Sequence, residues 1–379
     1  MSTTKLKNLY KRYQNKSISG RYLPSKIVLG QLKSLAIPSD VIGYSEAGTP
    51  IHLVKFGIGT NKIVMWSQMH GNESTTTKAV FDFINMLHDT TCETTQMLLS
   101  NCTIYLIPLL NPDGADAYTR VNGNEIDLNR DAQELTQKES LILRSYIDTI
   151  KPNFAFNLHD QRTIFSAGTN NKSATVSFLS PAGDTERSIT SSRVRSMQVI
   201  VAMNKVLQEF VPDQIGRYDD GFNINCIGDT LESQGIPTVL FEAGHYEQDY
   251  EREVTRSFIF YALVQGVSSI ASKAFSTYNY KDYFKIPENK KLFYDVIIRK
   301  ARLKDTIIDI AVQFTEKLLD DEIKFIPKIA VIGDLNGFFG HRELYAEGRI
   351  IRHYNDVVEV VPEVEMLKFY LDTELFSVL

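Results

Sequence analysis

The chain has 379 residues, with 41 basic and 46 acidic side chains, a formal net charge of −5, and 43% hydrophobic and 23% charged residues. That composition is globular and long enough for two or three domains, which excludes disorder and fibre formation. It also lacks the basic footprint needed to neutralise phosphates, so nucleic acid is not an expected partner.

Residues 1–23 carry Lys, Arg, Tyr and Ser without an apolar stretch or a small-residue cleavage site, which is not a signal-peptide pattern. About 18 consecutive apolar residues occur nowhere, so no membrane-spanning helix is expected. Cys92, Cys102 and Cys226 are odd in number and lack C-x-x-C spacing. They fit a reducing compartment, and the expected location is the cytoplasm.

Residues 62–69 (KIVMWSQM) form a nearly continuous apolar run ending in polar residues, the pattern of a strand buried on both faces. A helix is predicted over 74–87, with Ser and Thr at its start as capping candidates. A strand over 103–109 is followed by Asn111-Pro112-Asp113-Gly114, a strong turn signal. A helix over 137–150 leads to a strand over 154–158 that ends at His159. A helix over 190–210, a Gly- and Asn-rich loop over 216–228 and a short helix over 231–234 precede a strand over 238–241 that ends at Glu242. The helix over 256–271 closes the unit. This alternation predicts an α/β fold, a mainly parallel mixed sheet covered by helices on both faces. Beyond residue 271 the pattern changes to strand-like runs at 292–298, 306–312, 329–332 and 357–361. The predicted division is a catalytic domain over 1–275 and a smaller β-rich C-terminal domain over 285–379.

Polar residues just past the predicted strands form a short set: His70 and Glu73, Asn111 and Asp113, His159 and Asp160, and Glu242. In an open parallel sheet these positions converge on the crevice at the carboxyl ends of the strands. Two histidines and a carboxylate there suit a catalytic zinc site, which keeps its fourth position for water. His70-Gly71-Asn72-Glu73 alone is a weak H-x-x-E signal. Its place at a strand-to-helix turn strengthens it, and Gly71 is expected to let the backbone turn sharply. Arg120 and Asp127-Leu128-Asn129-Arg130 form a second cluster, whose Arg and Asn suit capture of a carboxylate.

The segment GYSEAGTPIHLVKFG from Gly43, HGNE at 70–73, NPDG at 111–114, DLNRD at 127–131, NLHD at 157–160 and FEAG at 241–244 together resemble the zinc carboxypeptidase family, that of carboxypeptidases A and B. The resemblance spans residues 23–271. It implies that His70, Glu73 and His159 bind one zinc per chain, with Asp127 hydrogen-bonding a zinc-bound imidazole. It further implies that Glu242 is the general base, that Arg120 polarises the scissile carbonyl, and that Asn129 and Arg130 clamp the substrate's terminal carboxylate.

Asp131 departs from the family pattern, which has an uncharged residue there. A negative charge beside the clamp would weaken binding of simple carboxylates or favour a substrate with an extra positive group. Tyr218, 24 residues before Glu242, stands near the place of the family's mobile tyrosine, and a surface role fits it equally. Asp229 falls near a position that confers preference for basic side chains, although an N-cap of the short helix explains it too. His52, His88, His341 and His353 read as surface or packing residues, His245 as a loop residue and Trp66 as core.

The implied activity is a zinc metallocarboxypeptidase acting on peptides through a zinc- and Glu-activated water. An N-acyl amino acid deacylase of the aspartoacylase and succinylglutamate desuccinylase type is the alternative, since those enzymes share H-x-x-E, DLNR and a late Glu. A non-catalytic zinc-binding module is the alternative of another class. The expected substrate is a peptide or N-acyl amino acid with a free carboxylate, with no nucleic-acid or membrane partner; side-chain preference and oligomeric state are not encoded legibly.

Overall fold

A computed structural model describes residues 1–379. The chain divides into two compact units, Met1–Gln161 with Ala174–Asn289, and Arg162–Ser173 with Lys290–Leu379.

The first unit runs α1 (Thr3–Tyr13), α2 (Ser25–Ser34), β1 (Ser39–Tyr44), β2 (Pro50–Phe56), β3 (Asn61–Ser67), α3 (Thr75–His88), α4 (Glu93–Asn101), β4 (Cys102–Ile107), α5 (Pro112–Ala117), α6 (Lys138–Ile150) and β5 (Phe154–Asp160). Strand β6 (Phe165–Ala167) belongs to the second unit. The first unit then resumes with β7 (Val176–Leu179), α7 (Ser191–Leu207), β8 (Ile215–Arg217), α8 (Ile227–Ser233), β9 (Thr238–Ala243) and α9 (Glu253–Ala271). Its eight strands form one sheet in the order β1-β2-β4-β3-β5-β9-β7-β8. The inner pairs β4/β3, β3/β5 and β5/β9 are parallel, and β1/β2, β2/β4 and β7/β9 are antiparallel. The mixed α/β sheet read from the sequence is thus what forms.

Alternation along the central strands divides the core. Ile63, Met65, Phe154, Phe156 and Leu158 join α3, α7 and α9 in one buried cluster. Val64, Trp66 and Ala155 join α6 and α8 in another on the opposite face. Each such large apolar side chain contributes about 1.5–3 kcal/mol on full burial. Helix α9 is long and apolar enough to cross a membrane by composition, but 89% of that window is buried in the core of the unit.

The two N-terminal helices were not foreseen. In α1, Leu6, Leu9 and Tyr13 are buried, and the segment after it is held by Arg256, which donates to Asn15 O at 2.8 Å and Ile18 O at 2.9 Å. The same buried guanidinium grips both oxygens of Asp82 at 2.6–2.7 Å, tying α9 to α3.

The second unit contains β10 (Asn289–Lys291), which straddles its boundary, then β11 (Phe293–Leu303), β12 (Thr306–Leu319), β13 (Glu322–Gly333), β14 (Phe339–Tyr345), β15 (Ile351–His353), β16 (Lys368–Leu371) and β17 (Glu374–Ser377). β10 pairs with β6, and the others form a four-stranded sheet β13-β12-β11-β14 and a three-stranded one β15-β16-β17. The run at 357–361 is not a strand. It is turn and coil, and Val357 is 90% exposed. Within this unit Thr163, from the early excursion, is held by Gln313 Nε2 on its Oγ1 and by His341 Nε2 on its carbonyl, both at 2.8 Å.

Candidate metal centre and active site

Strand β3 lies between β4 and β5, so the chain leaves it in one direction and returns on the other side. Such a reversal opens a crevice at the strands' carboxyl ends. His70 and Glu73 follow β3, and His159 is the penultimate residue of β5. His70 Nδ1 lies 2.8 Å from Glu73 Oε1, His159 Nδ1 lies 2.8 Å from Glu73 Oε2, and the two Nδ1 atoms are 3.1 Å apart. All three side chains are buried. Two imidazole nitrogens and a carboxylate, converging within 4.8 Å of one another, form a donor set that fits a zinc ion.

The turn carrying His70 and Glu73 is braced from several directions. Gly71 does not use a left-handed conformation; it is a glycine because a Cβ there would lie 1.9 Å from the backbone carbon of Gly114. The HGNE and NPDG motifs are therefore two halves of one close backbone contact. Gln68, missed in the sequence, takes the strained φ of +50° instead. Its buried amide donates to Leu23 O and Gly71 O. Ser74 does not cap α3 through its side chain. Asp160 does so from the end of β5, accepting Thr75 N–H at 2.9 Å and Thr76 N–H at 3.2 Å. Its own N–H donates to Glu73 Oε2 at 3.1 Å, so β5 fixes the Glu73 carboxylate as well as the helix start.

Asp127 Oδ1 accepts from His70 Nε2 at 2.9 Å. With that N–H engaged, the Nδ1 lone pair faces the cluster. Asp127 also accepts Asn129 N–H and Arg120 Nε–H, at 2.9 and 3.0 Å. Arg120 reaches Glu73 at 3.4 Å while its side chain stays half exposed.

Burial opposes a charged His70, but the Glu73 carboxylate and the bonds to Asp127 and Glu73 outweigh it and raise its pKa. Burial prevails at His159, whose pKa is lowered. Glu73 and Asp127 are both held low, since the imidazoles outweigh the cost of burial.

Glu242 stands opposite His159 in the parallel β5/β9 register and opposite Ser177 in β7/β9. Side chains of register partners share a face, so the sheet itself sets Glu242 beside His159 of the candidate metal cluster. Burial, then the charges of Glu73 and Asp160, push its carboxyl well above the usual range. Tyr218 is half-buried just after β8, and its phenol pKa is raised by burial and then by Glu242 and Glu73, which places it within electrostatic reach of the site.

Asn129 and Arg130 dock on the start of α8. Asn129 Oδ1 accepts Ile227 N–H at 3.1 Å, and Arg130 Nη1 donates to Cys226 Sγ at 3.2 Å. Arg130 is otherwise exposed. Helix α8 begins earlier than the sequence suggested, so Asp229 lies within its first turn and is not its N-cap. Buried there, its carboxyl is pushed up to about 6. Asp131 does not load the clamp with charge: its two oxygens accept Thr136 N–H, Thr136 Oγ1–H and Gln137 N–H, closing the turn before α6.

Residues 34–203 match the family model described as zinc carboxypeptidase. That segment of the chain is similar to zinc carboxypeptidases. No curated protein sequence matches the chain. Among solved structures, a metallo-carboxypeptidase from Burkholderia cenocepacia superposes with a TM-score of 0.53 at 16% identity, covering 66% of this chain and 69% of that one. Carboxypeptidase A from Helicoverpa armigera gives 0.51 at 16% identity, covering 72% and 80%. A Pseudomonas aeruginosa metallo-carboxypeptidase in complex with (2-guanidinoethylmercapto)succinic acid gives 0.50 at 17% identity, covering 66% and 68%. At these identities the structures establish the shared fold, and the match over residues 34–203 supports a zinc metallopeptidase.

Proposed function

We propose that the chain is a zinc-dependent metallocarboxypeptidase that hydrolyses the C-terminal peptide bond of peptides, with one zinc per chain held by His70, Glu73 and His159. The observation that carries this reading is the convergence of two Nδ1 atoms and a carboxylate next to Glu242, the register partner of His159. Zinc bound there supplies Lewis acidity toward water and the scissile carbonyl. Glu242, with its raised pKa, takes the proton of the attacking water and returns it to the departing amine. Arg120 turns its half-exposed guanidinium to the developing oxyanion. Asn129 and Arg130 pair with the free terminal carboxylate, so a substrate lacking it leaves a charged donor unmatched. Tyr218 closes over the substrate from the β8 side, and Asp229 contributes to side-chain preference.

Short peptides with free C-termini, assayed beside N-acyl amino acids, test the reading. C-terminal residues should be released, and Glu242→Gln should lower kcat by about 10²–10⁴ while zinc content stays unchanged. Turnover of N-acyl amino acids alone would replace the peptidase with the deacylase.

A further inference from the structure

The chain passes between its two units three times, at Gln161/Arg162, Ser173/Ala174 and Asn289/Lys290. The first-unit residues at these crossings are joined in one hydrogen-bond knot. Gln161 Nε2 donates to Ala174 O at 2.5 Å and Ser177 Oγ at 3.2 Å. Asn289 Nδ2 donates to Gln161 Oε1 and to Ser177 Oγ, each at 3.0 Å. Gln161, Ala174 and Ser177 are buried. Glycines let the knot close: a Cβ on Gly244 would lie 1.9 Å from Ala174 O, and one on Gly216 would lie 1.8 Å from Asn289 Oδ1.

The knot lies at the ends of the two strands that flank β9. Ser177 is the β7 partner of Glu242, and Gln161 follows His159 by two residues while donating its N–H to Ala243 O at 2.9 Å. Gly244 N–H in turn bonds Thr175 O at 2.8 Å. β7 has only four residues, so its pairing with β9 depends on what fastens its ends.

We propose that Gln161, Ser177 and Asn289 are positioning residues for Glu242. They hold β5 and β7 in register on either side of β9, and through that register fix the Glu242 carboxylate relative to His159. None of the three touches the reacting atoms. The proposal rests on Glu242 being the general base, for which a misplacement of about 1 Å can cost about 100-fold in rate.

Asn289→Ala in the full, zinc-loaded chain should lower kcat about tenfold or more and leave KM within about twofold. Ser177→Ala should do the same, and it serves if the first variant folds poorly. Independently of activity, amide hydrogen exchange should accelerate over residues 174–178 and 241–244, with or without zinc, and stay unchanged elsewhere in the unit. Unchanged kcat and exchange in both variants would overturn the proposal. So would exchange accelerated throughout the unit, which marks a merely structural role. Glu242→Gln separates the two readings: if it keeps full activity, the general-base assignment fails and the proposal with it; if it is inactive while Asn289→Ala and Ser177→Ala match wild type, only the positioning claim falls.

Discussion

On the β3 side of the crevice, each functional side chain is tied to the next. His70 bonds both Glu73 and Asp127, Asp127 bonds Asn129 and Arg120, and Arg120 returns to Glu73. On the β9 side, Glu242 Oε2 is buried without a hydrogen-bond partner, and burial with the charges of Glu73 and Asp160 raises its carboxyl pKa. One side is preorganised to hold a cation, and the other leaves a base destabilised in its charged form. Holding an ion requires ligands that do not move or titrate. Moving a proton requires a group whose two states lie close in energy.

That contrast can be broken most severely at the ligands. His159→Ala or His70→Ala should abolish zinc retention after dialysis, measured by metal analysis, and reduce turnover to background. Glu242→Gln, by contrast, should leave zinc bound. Asp127→Asn probes the support behind the ligand, and zinc affinity should fall about 10- to 100-fold in chelator competition, with the fold intact. An unchanged affinity would show that the His70–Asp127 bond has no part in ligand orientation.

The smallest effect is expected at Asp229, and it concerns stability. Its folded pKa of about 6 exceeds the roughly 3.9 of an unfolded Asp because of burial, so the fold favours the protonated form. Stability from this group is therefore full below about pH 4 and is lost as pH rises through about 6. Asp229→Asn should melt higher than wild type at pH 7.5, by up to about 3 kcal/mol, and show no advantage at pH 4. Equal melting at both pH values would contradict the burial of a strained carboxylate.

The convergence of His70, Glu73, His159 and Glu242 was legible because parallel strands deliver their following residues to one crevice, so a strand pattern plus a polar residue locates them, whereas Asp127 follows no strand and was reached through the family resemblance. The Asn129–Arg130 pair stood out by residue type. Its docking on Cys226 and Ile227 did not, since those residues are nearly a hundred positions away. Asp131 misled for the same reason: its charge is visible in the sequence, whereas the backbone N–H groups that occupy it are not. Gly71 was noticed for a turn and proved to serve a tertiary contact with Gly114. The excursion of residues 162–173 into the second unit left no sequence signal, because its anchors Gln313 and His341 lie about 150 residues downstream or more.

The most direct test compares one peptide as its free acid and as its C-terminal amide, incubated with the zinc-loaded chain and followed by mass spectrometry. Release of the single C-terminal residue from the free acid, with the amide slower by about 100-fold or more and this preference lost in Arg130→Ala, is the expected result. Equal cleavage of both forms, or cleavage at internal bonds, would contradict a carboxypeptidase whose register is set by the terminal carboxylate.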